Sequence, residues 1–222
     1  MASPEKARVL RGFFKTGPGQ YGAGDIFLGI TVPLLRRLAK ECRATPINDM
    51  LALLRSSVHE ERLFALFLLV AAYTRSDEAA KDKIYRLYMR NLRFINNWDL
   101  VDLSAPNIVG AHLVTRERVP LYKLARSSKL WEKRVAILST FAFIRQDDFA
   151  DMLRISRILL ADEHDLIHKA VGWMLREVGK RDLAEEEKFL KRHYRNMPRT
   201  MLRYAIERFP ETKRKKYLHG KI

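Results

Sequence analysis

An indole and a carboxylate stand four residues apart in the stretch NNWDLVDLSAPNIVG, at Trp98 and Asp102. Residues at this spacing share one face of a helix. A carboxylate repels phosphate, so an acid beside an aromatic is unexpected in a chain whose net charge is +16. The pairing suggests that Asp102 is there for chemistry. The alternative is that Asp102 forms an ordinary structural salt bridge with Arg134.

The same stretch contains a proline, Pro106, four residues after Asp102. Proline has no N–H to bond the carbonyl of Asp102, so the helix is predicted to bend there. A purely structural proline is the alternative explanation.

The elements that position these residues are predicted to be helices. Apolar residues recur every three or four positions and alternating β-branched runs are absent, which indicates an all-α fold. No break is long enough for a linker, so residues 1–222 are predicted to form a single helical-repeat domain. The predicted helices span residues 5–15, 32–43, 47–55, 59–74, 77–92, 97–114, 118–127, 130–145, 147–160, 165–180, 184–195 and 198–217, the last broken at Pro210.

Basic residues followed closely by alanine recur in the longer helices, at Arg62, Arg134, Lys169 and Arg203. With Asp102 added, these anchors are spaced by 40, 32, 35 and 34 residues, the length of a two-helix repeat. Such units stack into a curved solenoid with a long concave surface. The anchor is basic in all of the other repeats and acidic only at Asp102. A catalytic site placed within a basic binding groove would give this pattern.

The amino-acid composition indicates which kind of partner the protein binds. The 222 residues are 47% hydrophobic, enough for a proper core, and 42 Lys and Arg against 26 Asp and Glu are spread along the chain. A net charge of +16 exceeds the usual magnitude of about 2 to 8 for small domains and predicts a nucleic acid or another polyanion as partner. The alternative is that the charge serves only solubility.

The single cysteine, Cys42, excludes an intramolecular disulfide and a multi-cysteine zinc site. The N-terminus lacks an apolar signal core, and the longest apolar run, residues 63–73, is shorter than the roughly 18 to 20 residues of a membrane span. We therefore expect a cytoplasmic protein without a membrane partner.

Four segments give the chain a resemblance to the DNA alkylation repair glycosylases of the AlkD type, which are built from HEAT-like helical repeats. Their order and spacing are similar to the family's: FLGITVPLLRRLAK at 27–40, NNWDLVDLSAPNIVG at 96–110, LWEKRVAI at 130–137 and IHKAVGWMLREVGK at 167–180. The resemblance implies a curved superhelical solenoid of two-helix repeats with a basic concave groove.

In that family a Trp and an Asp in the pattern WxxxD, an Arg in the next repeat and a Trp in the following one form the active cleft. The resemblance implies these roles for Trp98, Asp102, Arg134 and Trp173. Taken alone, Trp173 in an apolar helix is more typical of a core residue. The predicted DNA-binding residues are Arg134, Lys169, Arg176 and Arg203.

The chain departs from the family in its N-terminal aromatic residue. The family's cleft also uses a tyrosine from the first helices, where this chain reads GFFKTGPGQYGAGD. Phe13 and Phe14 lack the hydroxyl, and Tyr21 lies beyond the break at residues 17–19, so the sequence leaves the third aromatic open.

The implied reaction is hydrolysis of the N-glycosidic bond of cationic N3- or N7-alkylated purines, such as 3-methyladenine and 7-methylguanine, in duplex DNA. The charged base leaves readily, so the sugar cation is what needs stabilisation, and a carboxylate supplies it. The resemblance also implies that the lesion is held against the cleft without a deep base pocket. No lysine stands out as a Schiff-base nucleophile, so we expect hydrolysis without strand cleavage.

Other motifs predict little chemistry. His164 and His168 stand four apart without a third ligand, and there is no glycine-rich phosphate loop, so we predict no metal and no cofactor. The KRKK run at 213–216 is either a solvated tail or a DNA-backbone contact.

We expect a monomer that acts on double-stranded DNA with alkylated purines and is nucleoid-associated when bound. Two alternatives remain at this point. One is a non-catalytic helical-repeat protein that binds branched or distorted DNA by shape, and the other is a protein-interaction scaffold, which the charge disfavours.

Overall fold

Residues 2–222 are described by a computed structural model, and they form helices joined by loops, of which the longest is residues 14–31 between the first two helices. This part of the chain has no strand, only an isolated parallel bridge between Ile26 and Val58. The predicted all-α class is confirmed. None of the helices in residues 2–222 combines the length and apolar character needed to span a membrane. The α-helices are α1 (Pro4–Phe13), α2 (Val32–Glu41), α3 (Ile47–Leu54), α4 (His59–Arg75), α5 (Glu78–Arg90), α6 (Trp98–Ala105), α7 (Ala111–Leu113), α8 (Val119–Ala125), α9 (Leu130–Ser139), α10 (Phe141–Ile144), α11 (Ala150–Leu159), α12 (Asp165–Gly179), α13 (Leu183–His193), α14 (Arg199–Ala205) and α15 (Glu211–Leu218).

Each predicted helical span contains an observed α-helix. The span 198–217 is broken before α15 at Pro210, as predicted, and two other long spans are interrupted. In the span 97–114, α6 passes into a π-helical turn at Pro106–Gly110 before α7 begins. Pro106 has no N–H for the regular bond to the residue four positions earlier, and a π turn is a common way to absorb such a defect. The predicted irregularity after Asp102 is therefore confirmed.

The second interruption separates α9 from α10 at Thr140. Thr140 Oγ1 donates to the carbonyl of Ile137 at 2.6 Å, and Ser139 Oγ donates to the carbonyl of Val135 at 2.6 Å. Hydroxyl groups that bind nearby carbonyls in this way compete with regular helix bonding. The predicted span 130–145 therefore becomes two helices.

The chain divides into two compact units, which we call the N-terminal unit (residues up to 108) and the C-terminal unit (residues 109–222). In the N-terminal unit α4 is central, packing against α2, α3, α5 and α6. Its apolar run is the longest in the sequence, and one side of it is buried, with Leu63, Leu66 and Leu69 at most 2% exposed. Among the described helices of this unit, α4 contributes the largest number of buried apolar residues to the core.

The loop that leads into α2 is held by α4. Glu60 is buried, and its carboxylate accepts the backbone N–H groups of Leu28, Gly29 and Ile30, that of Gly29 at 2.8 Å. Gly29 has a φ of +79°, and a Cβ there would lie 2.2 Å from the carbonyl oxygen of Ser3, the cap of α1. Only glycine fits such a position. The loop thereby keeps the start of α1 close to α4.

In the C-terminal unit α12 is central, packing against α9, α11, α13 and α14. A Cβ at the buried Gly172 would lie 2.4 Å from the carbonyl oxygen of Met201, so α12 and α14 approach at a distance that only glycine allows.

The helices that carry successive predicted anchors are neighbours within each unit. Arg62 is on α4, which packs against α6 with Asp102. In the C-terminal unit, Arg134, Lys169 and Arg203 lie on α9, α12 and α14, which pack in this order. Stacked two-helix repeats require this arrangement of equivalent helices.

Candidate active site

Trp98 and Asp102 lie one turn apart on α6, which places them on the same side of that helix. Asn97 caps the helix: its Oδ1 accepts the N–H of Trp98 at 2.8 Å, and its backbone carbonyl accepts the N–H of Val101. Trp98 and Asp102 are both half-buried. Trp98 and Asp102 therefore both lie in the first two turns of α6, whose N-terminus is capped by Asn97.

Two phenylalanines from the end of α1 pack against Trp98. Phe14 stacks on the indole with 5.1 Å between ring centroids and 17° between ring planes, and Phe27 stacks on Phe14 at 5.0 Å. Phe13 meets Trp98 edge to face at 5.7 Å and is 61% exposed. Phe13 and Phe14 therefore both lie beside Trp98. Neither phenylalanine offers the tyrosine hydroxyl that the family resemblance implied.

A buried polar network adjoins these rings. His59 Nδ1 lies 3.0 Å from Asp25 Oδ2, and His59 Nε2 lies 2.8 Å from Asp99 Oδ2. Asp25 also accepts hydrogen bonds from Arg62 Nη2 at 2.7 Å and from Asn97 Nδ2 at 3.3 Å. All five residues are buried. We call this set, Asp25, His59, Arg62, Asn97 and Asp99, the histidine network.

The network favours a doubly protonated imidazole. Burial alone would lower the pKa of His59, but the hydrogen bonds and negative charges of Asp25 and Asp99 outweigh it, so the pKa is raised above 6.5. Burial likewise acts to raise the pKa of Asp25, yet His59 and Arg62 hold it below its ordinary value. An imidazolium donates from both ring nitrogens, which matches a histidine placed between two carboxylates.

The surroundings of Asp102 include a buried hydroxyl pair. Tyr88 is fully buried, and its hydroxyl lies 2.7 Å from Ser104 Oγ. Burial raises the pKa of Tyr88, and the negative charge of Asp102 adds to the rise. Ser104 Oγ in turn donates to the carbonyl of Leu100. An uncharged tyrosine hydroxyl therefore lies within electrostatic reach of the carboxylate.

Arg134 and Trp173 lie on adjacent helices of the C-terminal unit, α9 and α12. Arg134 is 5% exposed, and its Nη1 donates to the carbonyl of Leu166 in the first turn of α12 at 2.5 Å. Trp173 is half-buried, donates from Nε1 to Glu177 at 2.9 Å, and packs 6.1 Å from the ring of Phe141. Both side chains therefore make contacts that stabilise the C-terminal unit.

The other predicted DNA-binding residues differ in their surroundings. Lys169 pairs with Asp165 at 2.7 Å, and Arg176 pairs with Glu207. Arg203 is exposed on α14 and forms no ion pair with any residue that the structure describes. Of these three cations, Arg203 is the most accessible to a phosphate.

The sequence profile of a family described as "DNA alkylation repair enzyme" matches residues 1–209. The chain belongs to this family. A solved structure described as "Predicted DNA alkylation repair enzyme from Enterococcus faecalis" superposes with a TM-score of 0.72 at 17% identity, over 95% of this chain and 98% of that one. At this identity the likeness shows a shared fold alone. No curated protein sequence matches at a significant level.

Family membership connects the protein to the repair of alkylated DNA, as an enzyme whose substrate is DNA. At this level the resemblance found in the sequence is confirmed. Among the described residues, no group of three or more His, Cys, Asp or Glu side chains is arranged to hold a metal ion.

Local sequence reasoning misses the histidine network, because the partners of His59 lie 34 and 40 residues away. The sequence nevertheless contains one indication of the pairing between His59 and Asp99, which is their spacing. The spacing of 40 residues between Arg62 and Asp102 also separates His59 from Asp99. These two residues therefore occupy equivalent positions in successive repeats, and a period search that included His and Asp would find the pair.

Proposed function

We propose that the protein is a monofunctional alkylpurine DNA glycosylase. It would hydrolyse the N-glycosidic bond of cationic N3- or N7-alkylated purines in duplex DNA and leave the strand intact. Membership of the DNA alkylation repair enzyme family supports this class of damage. The observation that carries the proposal is the placement of Trp98 and Asp102 on one side of α6, with Phe14 packed on the indole.

Asp102 would act on the sugar rather than on the base. A purine alkylated at N3 or N7 is already cationic and leaves without strong help from an acid. A carboxylate about 4 Å from the oxocarbenium-like sugar would stabilise it by roughly 4 kcal/mol at an effective dielectric of about 20. That free energy corresponds to about a thousandfold in rate. The same carboxylate can orient or deprotonate the attacking water.

Trp98 would contact the cationic lesion nucleotide. Phe14 covers one face of the indole, so a sugar or charged base would meet the other face. Aromatic faces attract cations by about 0.5 to 2 kcal/mol, depending on exposure. The exposed ring of Phe13, at the edge of Trp98, would add apolar contact but no hydrogen bond.

We propose that the C-terminal unit supplies phosphate contacts. Arg203 is the first candidate because it is exposed, and Lys169 and Arg176 would join it by exchanging their carboxylate partners for phosphate. Arg134 would bind a phosphate by a forked contact, as the family resemblance implies. Trp173 would contact the sugar, as the family resemblance implies. Binding that depends on phosphates falls steeply with salt.

The test compares wild type with Asp102→Asn on DNA treated to carry 3-methyladenine and 7-methylguanine. We expect wild type to release both bases and Asp102→Asn to lose about a thousandfold in kcat, because the neutral amide cannot stabilise the sugar cation. DNA affinity should stay within about threefold, since Asp102 does not bind phosphate. Asp49→Asn, at an exposed acid on α3, is the matched control and should keep full activity.

The proposal fails if wild type binds methylated DNA but releases neither base. Binding without release, with preference for branched or bent duplexes, would instead support a non-catalytic protein that recognises DNA shape. Loss of activity in Asp49→Asn as large as in Asp102→Asn would point to a general charge effect rather than to catalysis.

A further inference from the structure

The residues on both sides of Trp98 belong to the histidine network. Asn97 donates to Asp25 at 3.3 Å, and Asp99 accepts from His59 at 2.8 Å. Asp25 and Asp99 come from separate segments, the loop before α2 and the first turn of α6, and His59 at the start of α4 binds both. The network therefore ties the first turn of α6 to two other parts of the N-terminal unit.

The aromatic stack leads to the same histidine. Phe14, which stacks on Trp98, also packs against the ring of His59 at 4.8 Å, and Phe27 stacks on His59 at 4.5 Å. Trp98 is thus connected to His59 by hydrogen bonds through Asp99 and by ring packing through Phe14. Two independent sets of contacts converge on one buried side chain.

We propose that His59 is a positioning residue for the reaction, acting through Asp99 to set where α6 places Trp98 and Asp102. This inference rests on the proposed glycosylase function. Because Asp102 is one turn along the same helix, a displacement of the first turn moves the indole and the carboxylate together. A misplacement of about 1 Å at reacting groups costs about a hundredfold in rate.

The charges around His59 are compatible with a buried, protonated imidazole. Asp25 and Asp99 face its two ring nitrogens, and Arg62 binds Asp25 from α4. Glu60, next in sequence, is occupied by three backbone N–H groups of the loop before α2. A cationic His59 together with Arg62 balances the two aspartates, so the network is close to neutral and suited to a buried position.

Two substitutions separate the two hydrogen bonds of His59. The amide nitrogen of asparagine reaches the position of Nδ1, so His59→Asn keeps the bond to Asp25 and loses the bond to Asp99. The amide nitrogen of glutamine reaches the position of Nε2, so His59→Gln keeps the bond to Asp99. We expect His59→Gln to retain kcat within about tenfold, and His59→Asn to lose about a hundredfold in kcat with DNA affinity unchanged.

A second readout does not depend on activity. In protein labelled with 5-fluorotryptophan, the three Trp residues give separate fluorine resonances, and a Trp98→Phe variant identifies that of Trp98. We expect His59→Asn to shift the Trp98 resonance and to leave those of Trp131 and Trp173 in place, whereas His59→Gln stays near wild type. His193→Asn, at a half-buried histidine of the C-terminal unit, is the matched control and should shift no Trp98 signal.

Equal behaviour of His59→Asn and His59→Gln, in kcat and in the Trp98 resonance, would overturn the proposal. If wild type released no base but His59→Asn alone moved the Trp98 resonance, the proposed function would fail and the positioning role would stand. If His59→Asn does not fold, Asp99→Asn replaces it, since this variant weakens the same bond from the other side. It should shift the Trp98 resonance and lower kcat, and an unchanged Trp98 signal would again overturn the proposal.

Discussion

Replacement of Phe14 by alanine removes the ring that lies between Trp98 and Phe27. Phe14 is only 6% exposed, and it stacks on the two rings at 5.1 and 5.0 Å. Truncating a buried phenylalanine costs about 3 to 5 kcal/mol, and stacked rings contribute about 0.5 to 1.5 kcal/mol per pair beyond burial. The cost of truncation already includes lost stacking, so with two stacked partners we expect a loss in the upper part of that range, about 4 to 5 kcal/mol. For a chain of this length that lowers Tm by roughly 8 to 20 °C.

Phe13→Ala is the matched control, because it removes the neighbouring ring, which also touches Trp98 but is 61% exposed. We expect it to cost less than about 1 kcal/mol. Both variants would be compared with wild type by thermal and urea denaturation, followed by circular dichroism and tryptophan emission at neutral pH. Equal losses in the two variants, or a loss below about 1 kcal/mol for Phe14→Ala, would refute the reasoning that the buried stack anchors α1.

Two further predictions concern pH. Because the pKa of His59 is raised above 6.5 by its aspartate partners, the stability contributed by protonation of His59 is complete below pH 6.5 and is lost as pH rises through the folded pKa. Tm measured at rising pH should fall more in wild type than in His59→Gln, and identical curves would contradict this. Burial raises the pKa of Glu186 from 4.5 to about 8, so the unfolded chain ionises first and stability falls as pH rises from 4.5 to about 8. Glu186→Gln should flatten that part of the curve, whereas Glu163→Gln, at an exposed glutamate of the same unit, should not.

Residues whose positions depend on local pattern were predictable from the sequence. The spacing of Trp98 and Asp102 predicted their common side of a helix, and Pro106 predicted the interruption that follows them. Both rest on rules that act within one or two turns. Asp25 could not be found in this way. It lies in an irregular loop, and its role comes entirely from contacts with His59, Arg62 and Asn97 that are distant in sequence.

Burial also separates residues that look alike in the sequence. Arg62, Arg134 and Arg203 were aligned as equivalent basic anchors, yet Arg62 is 4% and Arg134 is 5% exposed, whereas Arg203 lies on the surface. Arg62 binds Asp25 and the carbonyl of Ser56, a partner set that no local spacing reveals. Charge pattern identifies where an arginine falls in a repeat, but it does not tell whether a carboxylate or a phosphate will be its partner.

If Lys169 and Arg176 bind phosphate as proposed, their ion pairs with Asp165 and Glu207 also affect how long the protein stays on undamaged DNA. A phosphate that arrives at either cation meets a carboxylate already bound there, so each carboxylate acts as an internal competitor. Such competition lowers the affinity gained per phosphate and speeds release from ordinary sequence. Asp165 and Glu207 would thus give the enzyme short residence times, which a search for rare lesions requires.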